Sequence, residues 1–111
     1  MEISTYTHEN EVKVLEVKGE VDAHTAKVLD KTLMDLLGQG KPRIVMDVSE
    51  MSFISSAGIR AILYAHREAV QLGGEVRIAG PTDKIHRILE IAGFKELLKI
   101  TDELQESIKN W

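Results

Sequence analysis

Two adjacent serines, Ser55 and Ser56, stand just ahead of an apolar helical pattern that begins at Ala57. A hydroxyl at a helix start accepts a hydrogen bond from a free first-turn N–H. A phosphate there would meet the remaining unpaired N–H groups and the positive end of the helix dipole. Position alone therefore allows two roles, an N-cap or a phosphoryl acceptor, and Gly58 next to them is equally well read as close helix packing.

Other chemistry is poorly supplied. His8, His24, His66 and His86 show no metal-site spacing with one another or with Asp and Glu. His66 falls near the apolar stripe of its helix and reads as a partly buried packing residue. Ser56 lacks the G-x-S-x-G surroundings of a hydrolase nucleophile. Gly38-Gln39-Gly40-Lys41 is a helix end and turn, since the full phosphate-loop pattern is missing. No cysteine occurs, which removes disulfides, thiolate metal sites and a cysteine nucleophile. No catalytic residue, metal site or cofactor is expected, and the chain is read as a protein-binding module and not an enzyme.

The elements that position the serines follow from composition and periodicity. A chain of 111 residues with 43% apolar and 29% charged residues builds one domain around one core. The net charge of −4, with basic residues scattered among acidic ones, argues against a nucleic-acid partner. Met1 to Asn10 carries no basic and apolar leader pattern and no transmembrane segment is recognisable, so a cytoplasmic location is expected.

Ile3 to Thr7 and Val12 to Val17 read as two strands around a turn at His8 to Glu11. Ala23 to Leu37 reads as a helix capped by Asp22, and Arg43 to Asp47 as a central strand. A polar connection leads to a helix over Ala57 to Gln71, with Ile59, Ile62, Leu63 and Val70 on one face. Glu75 to Ala79 is a strand, and Pro81-Thr82 open a helix that ends at Gly93, with Phe94 packed over its last turn. Leu97 to Ile100 reads as an edge strand, and Thr101 begins a last helix whose Leu104, Ile108 and Trp111 face inward. The order β-β-α-β-α-β-α-(β)-α predicts an α/β fold: a mixed sheet of four to five strands with about four helices packed on it. Val45, Leu29, Leu33, Ile62 and Leu63 are expected in the core. Partners of such sheets meet the loops at the carboxyl ends of the strands, which directs attention to the loop after Asp47.

Gly19-Glu20-Val21-Asp22 before the first helix, and Asp47-Val48-Ser49 followed by Phe53-Ile54-Ser55-Ser56-Ala57-Gly58-Ile59 before the second, resemble a STAS domain of the bacterial anti-sigma factor antagonist type. The likeness takes in the chain as one STAS domain, residues 1–111. It implies a protein that, when unphosphorylated, binds an anti-sigma factor, commonly a serine protein kinase, and so releases a sigma factor. Phosphorylation breaks that complex and a phosphatase restores it. The family acceptor lies two residues before the motif glycine, which is Ser56 here, with Ser55 the alternative. Two departures are visible, since many members carry Asp before the acceptor and Ser or Thr after it, where this chain has Ser55 and Ala57.

The resemblance further implies a partner surface over Glu20, Asp22, Ser55, Ser56, Ala57 and Gly58, joined by Arg60 one turn on, which could pair with a phosphate or a partner carboxylate. Asp22 is equally well explained as a helix cap, and Arg60 as a solvated arginine. Exposure of Met51, Phe53 or Ile54 would suit a partner contact, although burial of Phe53 is expected. Two other readings stay open. One is a stand-alone STAS subunit of a signalling or lipid-transport assembly. The other is a domain that senses a small anion or nucleotide at the amide-lined helix start.

Overall fold

The computed structural model describes residues 1–111. Alternating β-branched residues form an antiparallel hairpin, β1 (Glu2–His8) with β2 (Val12–Val21), joined by a 3-10 turn over Glu9–Glu11. Then follow α1 (Ala26–Gly38), β3 (Arg43–Asp47), β4 (Met51–Ile54), α2 (Ser56–Gln71) and β5 (Glu75–Ala79). The chain finishes with α3 (Asp83–Ile91), β6 (Ile100–Thr101) and the single-turn α4 (Leu104–Ser107).

The strands lie in the order β1-β2-β3-β5-β6, and β4 pairs with the far end of β2. All pairings except β1 with β2 are parallel. The ten-residue β2 serves two neighbours in succession. Its Lys13–Glu16 stretch pairs with β3, and its Gly19–Val21 end pairs with β4, with a register shift between Gly19 and Glu20 that leaves Ser52 of β4 unpaired. Gly19, where the pairing with β4 begins, has φ +84°, a conformation open to glycine at little cost.

The α/β class is as read from the sequence, but the sheet has six strands where four to five were expected. The added strand is β4, which lies in the stretch read as a polar connection. Met51 and Ile54 are buried at its two ends, and the end of β2 supplies its hydrogen-bond ladder. The edge strand sits at Ile100–Thr101 and not at Leu97 to Ile100, and the last helix starts at Leu104. Ile78 and Ala79 of β5 fix that register by pairing with Ile100 and Thr101.

One face of the sheet carries the main core, which includes Leu15, Val17, Ile44, Met46 and Ile78 under Leu29 and Leu33 of α1 and Ile62 of α2, with Phe94 sealing one end. The opposite face holds a smaller cluster of Val12, Val14, Val45, Ala79 and Ile108, flanked by Leu104 and Trp111. Val45, Leu29, Leu33 and Ile62 are buried as expected. Leu63 is only half-buried and Val70 is 53% exposed. The reason is the width of the buried stripe on α2. Gly58, Ala61, Ala65 and Ala69 recur at helical spacing and bring α2 close to its neighbours, so residues one position past that stripe fall at its margin. His66 accepts the Val76 N–H at Nδ1 (3.2 Å), and burial pushes its pKa below the ordinary histidine value.

Candidate functional site

The motif residues meet at the carboxyl ends of β2 and β4. Glu20 pairs with Phe53 and Val21 with Ile54, and the ladder continues as Ser55 N–H donates to the Val21 carbonyl at 2.8 Å. This parallel pairing sets Asp22, the residue after Val21, beside Ser55 and Ser56, although more than thirty residues separate them in sequence.

Each side of this junction is capped differently. Asp22 Oδ1 accepts the Thr25 N–H (2.8 Å) and the Thr25 hydroxyl (3.0 Å), while Thr25 Oγ1 accepts the Asp22 N–H (2.9 Å). This reciprocal pair is a capping box with threonine in place of the usual glutamate. Asp22 thus caps a turn that runs directly into α1, whose regular part starts at Ala26, three residues later than Ala23. The Thr25 backbone N–H, then its hydroxyl, hold the Asp22 carboxyl below the usual carboxylate range, so the side chain is firmly anionic at neutral pH. Thr25 is the partner that sequence reading missed. The Asp-x-x-Thr spacing was its signal.

At α2 the two serines separate. Ser55 has extended backbone (φ −83°, ψ 168°) and its Oγ accepts the Gly58 N–H at 3.2 Å, so Ser55 is the N-cap. Ser56 is the first helical residue and exposed, and the cap bond is made by Ser55, which leaves the Ser56 hydroxyl unengaged. A cap hydroxyl engaged with the backbone is a poor acceptor for transfer. A free, exposed hydroxyl beside the helix N-terminus is accessible to a kinase and electrostatically suited to carry a phosphate.

Of the remaining residues, Glu20 and Arg60 are exposed and Ala57 is half-buried. Gly58 is corrected from surface to interior. It is buried, and a Cβ there would meet Ile54 Cγ1 at 2.8 Å and Val21 Cγ1 at 2.9 Å, so glycine lets α2 approach β2 and β4. The apolar loop residues are also redistributed. Met51 and Ile54 are buried and Phe53 is 39% exposed, the reverse of the expectation for Phe53. Phe53 and Ile54 point to opposite faces of β4, and the register shift at Ser52 breaks the alternation between Met51 and Phe53. Asp47 Oδ1 accepts both the Ser49 N–H (3.1 Å) and the Ser49 hydroxyl (2.8 Å), which folds the turn leading into β4.

Beyond Ser56 a groove of about 350 Å³ runs between α1 and α2, with Ala26, Ala57 and Ala61 among its lining residues and Lys27, Arg60 and Tyr64 beside them. The four histidines are not gathered with carboxylates into any group able to hold a metal. No helix is long and apolar enough to cross a membrane.

The STAS domain family matches residues 2–107. The chain belongs to the STAS domain family. Among relatives of this STAS chain, the anti-sigma-B factor antagonist of Staphylococcus aureus is 28% identical over 102 residues, covering 92% of this chain and 94% of the relative. The anti-sigma F factor antagonist of Paenibacillus polymyxa is 25% identical over 96 residues, covering 86% and 82%. In the solved structures, the anti-sigma factor antagonist SpoIIAA in its unphosphorylated form matches with a TM-score of 0.77 at 20% identity, covering 95% of this STAS chain and 92% of that one. The Bacillus cell fate determinant SpoIIAA in the phosphorylated form gives the same TM-score, 0.77, at 19% identity and 96% coverage of both chains. At such identities the structural likeness concerns the fold, and that fold is shared with both phosphorylation states of the neighbour.

Proposed function

We propose that this STAS protein is an anti-sigma factor antagonist, switched by phosphorylation of Ser56. In its unmodified form it binds an anti-sigma factor, itself a serine kinase, across the junction of Glu20, Asp22, Ser55, Ser56 and Ala57, and thereby releases a sigma factor in the cytoplasm. Modification ends the complex, and a phosphatase reverses it. The observation that carries this reading is the division of labour between the serines. Ser55 is held as the N-cap, and Ser56 is exposed and unengaged one residue later.

The charge change accounts for the switch. A phosphate adds about −1.5 to −2 at neutral pH. The helix N-terminus and its dipole accommodate that charge, so the fold is retained. A partner packed over the same surface would meet the phosphate beside the ionised Asp22, with both charges to be desolvated together. The effect is local and needs no rearrangement of the domain, in keeping with the fold likeness to a relative in both phosphorylation states.

The test is incubation of wild type, Ser55→Ala and Ser56→Ala with ATP and the anti-sigma kinases encoded in the same genome, followed by mass spectrometry of intact protein and peptides. Wild type and Ser55→Ala should gain one phosphate at residue 56, and Ser56→Ala none. Phosphate on Ser55, or on a residue away from the junction, contradicts the assignment.

A further inference from the structure

The groove between α1 and α2 opens directly off the switch, because Ala23 follows Asp22, Ala57 follows Ser56, and both line it. Its lining is unusually shallow in side-chain terms. Ala23 and Ala26 on one side and Ala57 and Ala61 on the other leave room where longer residues would fill the space between the helices. Tyr64, 49% exposed, supplies an aromatic wall.

The charges around this apolar floor have no partner within the protein. Lys27, Arg60 and Asp30 line the groove, yet none takes part in an ion pair or side-chain hydrogen bond within the protein. Elsewhere on the surface Lys31 pairs with Asp35, Lys41 with Glu11 and Lys18 with Glu50. Two free cations against one carboxylate make this rim locally positive on a chain of net charge −4.

Resting on the proposed Ser56 switch, we propose that this groove seats a segment of the partner protein in which a large apolar side chain lies next to an Asp or Glu. The apolar group fills the alanine floor against Tyr64, and the carboxylate is held by Arg60 and Lys27. Guanidinium and ammonium groups at the edge of a desolvated apolar pocket give such a carboxylate both orientation and charge-assisted hydrogen bonds. An acidic residue without an apolar neighbour would leave the floor empty, and a basic one would face two like charges.

Arg60 also ties the groove to the switch. It lies four residues after Ser56, so both side chains stand on the same face of α2. A phosphate on Ser56 offers Arg60 a nearer and more highly charged anion than a partner carboxylate does. The phosphorylated protein therefore presents a groove whose positive rim is reduced to Lys27, in addition to the repulsion over the junction itself.

The experiment uses a random twelve-residue peptide library displayed on phage and panned against the unmodified full chain. Selected peptides are then synthesised and titrated against wild type, Lys27→Glu, Arg60→Glu and Ser56→phosphoserine introduced by genetic encoding. Both reversals change exposed side chains, and circular dichroism checks that the fold is kept. The expected result is a consensus of Asp or Glu beside a large apolar residue, with affinity falling at least tenfold in each variant and methyl shifts at Ala57 and Ala61 on titration. Peptides without an acidic preference, or ones that bind the reversal variants and the phosphoserine protein as well as wild type, overturn the proposal. Because the phosphoserine is installed without a kinase, failure of the kinase experiment would sink the switch at Ser56 while leaving the peptide result standing, and the converse also holds.

Discussion

Arg60 and Arg77 carry the same side chain in opposite circumstances. Arg77 projects from β5 on the sheet face away from α1 and α2 and is 3% exposed. Its guanidinium donates to the carbonyls of Ser107 (3.0 Å), Lys109 and Asn110 (2.9 Å), pairs with Glu75 at 3.3 Å, and lies 3.7 Å from the centre of the Trp111 ring. These contacts make a clamp that holds the segment after α4 across the second core. Arg60 has no such partners and stands at the rim of the α1–α2 groove. A buried charge held by three carbonyls and a carboxylate of its own chain belongs to stability, whereas an exposed charge left free beside an apolar floor is available to another molecule.

The largest expected effect tests the first half of that contrast. Arg77→Ala leaves three inward carbonyls without a donor and removes the surface on which Trp111 rests, and should cost about 3 kcal/mol in chemical denaturation. The single tryptophan reports it, since its emission should shift to the red as the ring becomes wetter. Arg60→Ala should change stability by less than about 0.5 kcal/mol, the range of ordinary surface sites. Equal losses for the two arginines would remove the basis of the comparison.

The same contrast appears on a smaller scale in the serine pair. Ser55→Ala deletes the cap bond to Gly58 and should cost about 1 kcal/mol. Ser56→Ala removes a hydroxyl with no partner and should stay within about 0.5 kcal/mol of wild type by thermal unfolding. A larger loss at 56 than at 55 would mean the roles are exchanged.

A weaker and pH-dependent effect comes from His66, whose folded-state pKa is lowered below its ordinary 6.5 by burial. The unfolded chain then binds a proton at a pH where the folded one does not, so this contribution is fully present above about 6.5 and is lost as pH falls through the lower folded value. His66→Asn keeps an acceptor for the Val76 N–H without the titration. Its melting temperature should therefore decline less than that of wild type between pH 7 and 5, and parallel declines would show that His66 is not the source.

Much of this arrangement was legible in the sequence where a residue's own pattern determines its environment. The alternation in β2, the apolar run Ile44-Val45-Met46 and the heptad-like Leu29, Leu33 and Leu36 all led to elements found in place. The serine pair at a helix start was visible too, but not which serine caps, because that depends on one backbone conformation at residue 55. What stayed hidden needed tertiary context. Met51–Ile54 becomes a strand only because the end of β2, Gly19–Val21, runs past its pairing with β3 and supplies a ladder. Leu63 sits at the edge of the core and Val70 on the surface because a stripe of alanines lets α2 sit close, and hydrophobicity alone ranks leucine and valine above alanine. Nothing local to Arg77 shows that the chain some thirty residues later returns to cover it.

On the proposed reading, a charge placed on Ser56 switches partner binding without altering the fold. Isothermal titration of the anti-sigma partner into wild type and into Ser56→phosphoserine protein, with melting curves of both, tests it most directly. Affinity should fall at least tenfold, which is about 1.4 kcal/mol, with melting temperatures that agree within a few degrees. Equal affinities for the two forms, or a lost complex accompanied by a collapsed melting temperature, would contradict it.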